Sequence, residues 1–260
     1  MKLFFGQIFP EILIDSDEQQ HITKVLRMRE GEEIFVTDGN GNLAKGNLVF
    51  EGKKVSLDVS EIKEDLPGFS PKLHIAIAPT KNIDRIEFFV EKAVEMGISE
   101  ITFILTEKTE RKNISIDKLR KQAIAASKQS HRFHFPKVND LIKFSDFMKN
   151  LDSENTFVAH CNENLERINL NDLEILRQAQ KSERFDEVND KANSSNDVSL
   201  RLSKTFSQYT FLIGPEGDFS DKEIQLLADK GIKAVSLGNQ RLRTETAGIF
   251  VAAWNYDKMF

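Results

Sequence analysis

The sequence predicts a two-part α/β protein, with a small all-β unit first and then a mainly parallel sheet with helices on both faces. Three observations predict it. Residues up to about 70 form short apolar runs separated by glycine-centred turns. From Lys72 onward, β-branched runs alternate with segments of helical spacing. Near the C-terminus, two glycine-bearing turns each lie between a strand-like and a helix-like segment. At 260 residues the chain is long enough for one large domain or two modest ones.

In the first part, a short helix is expected from Ser16 to about Leu26, with Ser16 or Asp15 as its cap. Glu33 to Asp38 reads as a strand running into Gly39-Asn40-Gly41-Asn42, a strong turn signal, and Leu43 to Phe50 as its partner. A second turn at Glu51-Gly52-Lys53-Lys54 leads to Val55 to Val59, which alternates at period two. Short strands with tight turns imply a small β-barrel or sandwich. Leu66-Pro67-Gly68-Phe69-Ser70-Pro71 reads as a linker, which sets the expected domains at 1–70 and 71–260.

In the second part, His74 to Ala78 has the texture of a buried strand. Ile86, Phe89, Val90, Ala93, Val94 and Met96 are spaced for one helix face between Asp84 and Met96, and Gly97 ends that helix. Ile101 to Leu105 is the next strand and Ile116 to Gln129 the next helix. Strands are expected at Thr156 to Ala159, Tyr209 to Ile213 and Ala234 to Leu237. Helices are expected from about Ser220 to Asp229, where Ser220 and Glu223 match a capping box, and from Thr244 to Tyr256. The polar stretch of about 178–208 reads as a surface insertion.

Composition excludes several classes. Hydrophobic residues make up 40 % and charged residues 30 %, an ordinary soluble balance. A formal charge of −5 gives no global basic field for nucleic acid, although a local patch remains compatible with it. Cys161 is the only cysteine, so there is no intrachain disulfide and no thiolate metal cluster; it is expected as a small buried residue. The histidines His21, His74, His131, His134 and His160 are scattered without metal-ligand spacing and are expected to be structural or on the surface. No dinucleotide fingerprint, P-loop or nucleophile elbow occurs. The N-terminus lacks a signal-peptide core, and no run approaches the roughly 20 apolar residues that span a bilayer, so a cytoplasmic protein without membrane contact is expected.

The two turns then carry the chemistry: Leu212-Ile213-Gly214-Pro215-Glu216-Gly217, and Leu237-Gly238 through Arg241-Leu242-Arg243-Thr244-Glu245-Thr246-Ala247. Two such loops are expected to build one pocket lined mostly by backbone. Gly214 and Gly217 are expected to permit close approach and unusual φ, with Pro215 stiffening the turn. Glu216 is placed either to accept from a ligand or to cap nearby amides, and Thr244, Glu245 and Thr246 are placed as helix caps.

The pair of turns strongly resembles the small-subunit ribosomal RNA methyltransferase E (RsmE) family. That family belongs to the SPOUT class of trefoil-knotted, S-adenosylmethionine-dependent methyltransferases. Other blocks follow in the same order. His21-Ile22-Thr23-Lys24-Val25-Leu26-Arg27 through Gly31 resembles the signature of the family's PUA-like RNA-binding barrel. Lys81 to Gly97 resembles its first Rossmann-like helix, and Thr109-Glu110-Arg111 and Gln129 to Pro136 match two further blocks. Lys128 stands where the family often has Glu, Asp218 where it often has Gly, and the polar insertion is longer than usual.

The resemblance implies a PUA-like barrel ahead of a SPOUT domain, and methyl transfer to N3 of a uridine in 16S rRNA of the small ribosomal subunit. S-adenosylmethionine is then expected at Leu212, Ile213, Gly214, Pro215, Glu216, Gly217, Leu237, Gly238, Leu242, Thr244, Glu245, Thr246 and Ala247. Uridine N3 must lose a weakly acidic proton from an accessible base, and Arg243 is the expected catalytic residue, stabilising the anion that develops. His21, Lys24, Arg27, Arg111 and Arg132 are the expected RNA contacts, within a stretch from Lys108 to Lys137 where basic residues outnumber Glu110 and Asp117. A homodimer through the C-terminal helix, with Ile249, Phe250, Val251 and Trp254, is also implied, and no metal. Two rival readings are a SPOUT enzyme with a tRNA or ribose target, and a non-catalytic ribosome-assembly factor.

Overall fold

The computed structural model of the protein describes residues 1–52, 54–161, 166–173 and 208–259. Lys53 and nearly all of the expected polar insertion lie outside the described residues; its last residue, Gln208, opens a strand. The chain divides into two compact units. One comprises residues 1–69 with 120–136, the other residues 70–119 with 137–260. The expected cut at residue 70 is therefore crossed by a second segment that rejoins the N-terminal unit.

The first unit is built on one curled five-stranded sheet. Its strands are β1 (Leu3–Gln7), β2 (Leu13–Ile14), β3 (Glu33–Thr37), β4 (Leu43–Glu51) and β5 (Lys54–Lys63), in the order β2-β1-β3-β4-β5. β1 pairs parallel with β3 and the other pairings are antiparallel. The end strands β2 and β5 touch, so the sheet curls toward closure in a PUA-like barrel. Phe4, Ile14, Ile22, Ile34, Val36 and Leu48 are fully or almost fully buried inside it.

The helix expected over Ser16 to Leu26 is split. α1 (Ser16–Gln20) is capped by Asp15, whose carboxylate accepts from the Asp17 amide, and His21–Val25 continues as a π-turn. Arg27 then adopts φ 49 and Gly31 φ 82, which ends the helical run. Residues 133–135 run back against the Gly39–Gly41 turn. The Gly41 amide donates to Phe133 O and the Phe135 amide to Gly39 O. α3 (Ile116–Gln129) supplies the half-buried Lys128, which pairs with the buried Glu18.

The second unit is a seven-stranded, wholly parallel sheet. Its strands are β6 (Lys72–Ile77), β7 (Glu100–Leu105), β8 (Lys137–Lys143), β9 (Thr156–Ala159), β10 (Ile168–Asn169), β11 (Gln208–Ile213) and β12 (Lys233–Ser236). They are ordered β10-β12-β9-β11-β6-β7-β8. α2 (Ile83–Glu95) and α6 (Thr244–Tyr256) cover one face, where a Cβ on Gly248 would come within 2.5 Å of the Phe89 ring. α4 (Phe144–Lys149) and α5 (Asp221–Asp229) cover the other through Phe144, Ile224 and Leu227. Burial on both faces explains the near-continuous apolar strands, and the arrangement fits the SPOUT methyltransferase fold.

Candidate functional site

The chain leaves β6, fills one side of the sheet with β7 and β8, then crosses to build the other side, with β11 inserted beside β6. In such open parallel sheets ligands bind beyond the carboxyl ends of strands near a reversal of order. A cavity of about 290 Å³ lies there, walled by the segments that follow β9, β11 and β12.

The apolar wall consists of Ala159, Ile213, Pro215, Val235, Leu237, Leu242 and Ala247. Gly214, Gly238, Glu216, Thr244 and Arg243 complete the part expected from sequence. Gly238 has φ +127, a conformation that favours glycine, and a Cβ built there meets nothing within 4 Å. An apolar lining with a few fixed polar groups suits a small organic ligand.

Leu212, Gly217, Glu245 and Thr246 do not line the cavity. Leu212 points into the core and Gly217 lies over Lys108, whose ammonium donates to the carbonyls of Gly217 and Phe219, each at 3.1 Å. Glu245 is buried beside Arg85, at 3.7 Å, and Thr246 is exposed. The unusual φ expected at Gly214 and Gly217 is absent, because the left-handed residues here are Asp218 and Gly238. Gly214 is instead needed for packing, since a Cβ there would lie 3.1 Å from the Phe219 ring.

The second turn is anchored to the first. Thr244 Oγ1 donates to Gly214 O at 3.0 Å in a buried position, and Arg241 Nη2 donates to Glu216 O at 3.1 Å. Thr244 is therefore a tie between loops rather than a cap; the N-cap residue of α6 is Arg243, whose side chain makes no capping bond. Glu216 turns its carboxylate to the Lys81 amide at 3.0 Å, with Arg85 Nη1 at 3.8 Å. It therefore caps a nearby amide, one of the two roles expected of it, from a position on the cavity wall. Ser220 and Glu223 form the expected capping box of α5.

Sequence reasoning missed the wall after β9. His160, Cys161 and Arg167 line the cavity, as do Asp218, Gln240 and Arg241. Nothing in the local pattern around residue 160 signals a site; only the strand order does. Burial pushes the His160 imidazole below its ordinary value, with Asp218 opposing and Arg167 reinforcing that shift. Burial and Asp218 push the Cys161 thiol up, against Arg241 and Arg167. Cys161 is exposed, contrary to the expectation of a buried residue.

The expected RNA contacts occupy different settings. His21 is half-exposed with Nδ1 3.9 Å from Glu18 Oε2, and Lys24 and Arg27 are exposed on the same unit. Arg132 is only 7 % exposed, its guanidinium 4.1 Å from the Phe69 ring centroid, a packed position rather than a surface grip. In the other unit, Arg111 gives Nε and Nη2 to the carbonyls of Thr80 and Lys81 and so braces that loop. Lys118 and Lys121 pair with Glu87 and Asp17. Among the described residues no group of three or more His, Cys, Asp or Glu is placed to hold a metal ion, and no helix is long and apolar enough to cross a membrane.

Comparison with known proteins matches two family models: an RNA methyltransferase domain over residues 69–255 and an RNA methyltransferase PUA domain over residues 14–58. A curated relative, ribosomal RNA small subunit methyltransferase E of Rickettsia conorii, is 29 % identical over 94 % of this chain and 88 % of its own. A probable rRNA-methyltransferase from Porphyromonas gingivalis superimposes with a TM-score of 0.77 at 29 % identity, covering 100 % of this chain and 98 % of that one. Ribosomal RNA small subunit methyltransferase E from Neisseria gonorrhoeae, solved bound to S-adenosyl methionine, shares the fold at TM-score 0.73 and 22 % identity, over 98 % of this chain and 96 % of that one.

Proposed function

Because the chain belongs to the ribosomal RNA small subunit methyltransferase E family of RNA methyltransferases, we propose that it methylates N3 of a specific uridine in small-subunit (16S) rRNA, with S-adenosylmethionine as methyl donor. One observation carries the reading: the cavity beyond β9, β11 and β12 is built from the two turns that resemble the family's cofactor loops.

The residues present fit that cofactor. The apolar wall from Ile213, Leu237, Leu242 and Ala247 suits an adenine ring and a thioether chain, and the glycine backbone at 238 leaves space beside them. When bound, S-adenosylmethionine supplies a methyl group activated by its sulfonium charge.

The chain's own residues then have two tasks. The loops joined by Thr244 and Arg241 hold the donor in one orientation, which lowers the entropy cost of bringing methyl and base together. Arg243, exposed at the mouth of the cavity, stabilises negative charge on the uracil as N3 gives its proton to solvent. The uridine must be unpaired or flipped to present N3. His21, Lys24 and Arg27 grip the RNA backbone, and the small subunit in the cytoplasm is the setting. A homodimer through α6 accompanies this reading, since Phe250 on α6 and Phe88 on α2 stay exposed.

The test is transfer of labelled methyl from S-adenosylmethionine to small-subunit rRNA by the purified protein, with nucleoside analysis of the product. Label in N3-methyluridine supports the reading. Label in a ribose or in tRNA would replace it with another methyltransferase activity, and calorimetry without cofactor binding would remove the enzyme altogether.

A further inference from the structure

A side chain from the loop after β11 ties the wall after β9 to that loop. The Cys161 amide donates to Asp218 Oδ2 at 2.7 Å, and the Phe219 amide donates to Asp218 Oδ1 at 2.8 Å. One carboxylate thus satisfies two backbone N–H groups that are 58 residues apart in the chain, each on a different segment of the cavity wall. Charge-assisted bonds of this kind are short and roughly twice as strong as neutral ones.

Asp218 also occupies a backbone conformation that favours glycine. It has φ 61, in the left-handed region that glycine adopts freely and aspartate only at some cost. The turn is closed by the Asp218 amide donating to Pro215 O at 2.9 Å, which any residue would supply. Glycine would fit the turn better, yet the chain carries an acid whose two oxygens are both engaged. A residue kept against its backbone preference points to its side chain.

From this geometry we propose that Asp218 is the positioning residue of the cofactor pocket. Its carboxylate fixes the His160–Cys161 segment against the Gly214–Gly217 turn, and so sets the width and shape of the cavity for S-adenosylmethionine. The inference rests on the functional reading above for the identity of the ligand, but not for the positioning itself. Without the carboxylate, the amide of Cys161 loses its partner and the β9 wall moves independently of the turn.

Three variants of the full-length protein separate positioning from folding. Asp218→Gly removes the carboxylate but relieves the left-handed backbone, so its unfolding midpoint is expected to fall less than that of Asp218→Ala. Asp218→Asn keeps one acceptor oxygen, and Asp218→Ala removes both while keeping the strain. In the ligand-free protein, amide exchange at Cys161 is expected to speed at least tenfold in Asp218→Gly and less in Asp218→Asn. Calorimetry with S-adenosylmethionine is expected to show affinity reduced about tenfold in Asp218→Gly, with KM for the cofactor rising more than kcat falls, and Asp218→Asn between it and wild type.

Unchanged Cys161 exchange in Asp218→Gly would overturn the positioning role. Faster exchange with unchanged cofactor affinity would overturn its importance to the pocket. Wild-type protein that bound no S-adenosylmethionine would overturn the functional reading instead, and the exchange result would still decide the positioning.

Discussion

Arg243 differs from the two other arginines at the cavity in what its side chain does. Arg167 is spent on the His160 carbonyl and Arg241 on the Glu216 carbonyl, whereas the Arg243 side chain makes no hydrogen bond or ion pair among the described residues. Its exposed guanidinium is hydrated, and its five donors are available to the acceptors of a ligand. Arg243→Ala is therefore expected to keep the unfolding midpoint and lower turnover at least tenfold, about 1.4 kcal/mol of barrier. Single-turnover rates near wild type would move the catalytic role elsewhere. Glu18 and Lys128 pose the opposite case, a buried carboxylate paired with a half-buried ammonium in the N-terminal unit, where Lys128 stands in place of the acid frequent in the family. Lys128→Met alone strands the Glu18 carboxylate and is expected to cost about 3–5 kcal/mol, while the double change to methionine at both positions costs far less. Denaturant titration of the two variants decides it, and equal losses would show that the pair's charge balance is unimportant.

At the scale of elements, α6 is fixed to the sheet's ligand end by one buried bond, Thr244 to Gly214. Thr244→Val keeps the shape and strands the Gly214 carbonyl, so a loss of about 1–3 kcal/mol in unfolding free energy is expected. No change by denaturant titration would mean that this bond adds nothing to the packing and the Arg241–Glu216 bond that also join the loops. The elements themselves were largely legible. The helical spacing from Ile86 to Val94, the capping box at Ser220 and the strands ending at Ala159, Ile213 and Ser236 are local signals. β8 was not, because Asn139 and Asp140 interrupt it and only its pairing with β7 makes it a strand. The continuous helix expected to Leu26 fails at His21, where the backbone loosens into a π-turn before the left-handed Arg27. The site was half legible for the same reason. Two turns announce themselves through glycine and proline. The third wall at His160 and Cys161, and the ties from Glu216 to Lys81 and from Asp218 to Cys161, join residues far apart in sequence and leave no local pattern.

At the scale of the molecule, two buried imidazoles link stability to pH. Burial holds His74 below its ordinary value of 6.5, Glu100 opposing and Lys137 reinforcing, and His74 Nε2 lies 2.8 Å from Thr102 Oγ1. His160 is held low for the same first reason. A histidine with a lowered folded pKa binds fewer protons folded than unfolded. Its contribution is therefore fully present above about pH 6.5 and is lost as the pH falls below that toward the lowered folded value. Unfolding midpoints at pH 7.5 and 5.5 are expected to show a clear loss on acidification, reduced in His74→Gln; a pH-independent midpoint would contradict the burial of His74. The wider expectation of a barrel with a parallel-sheet domain holds, but residues 120–136 return to the barrel unit, which no composition change marks.

The central claim joins the cavity at the ends of β9, β11 and β12 to methylation of one uridine in the small subunit. Mass mapping of 16S rRNA from a strain lacking this protein, with the wild-type or Arg243→Ala chain restored, tests it most directly. One N3-methyluridine is expected to disappear on deletion, to return with wild type and to stay absent or strongly reduced with Arg243→Ala. An N3-methyluridine signal unchanged by deletion would contradict it.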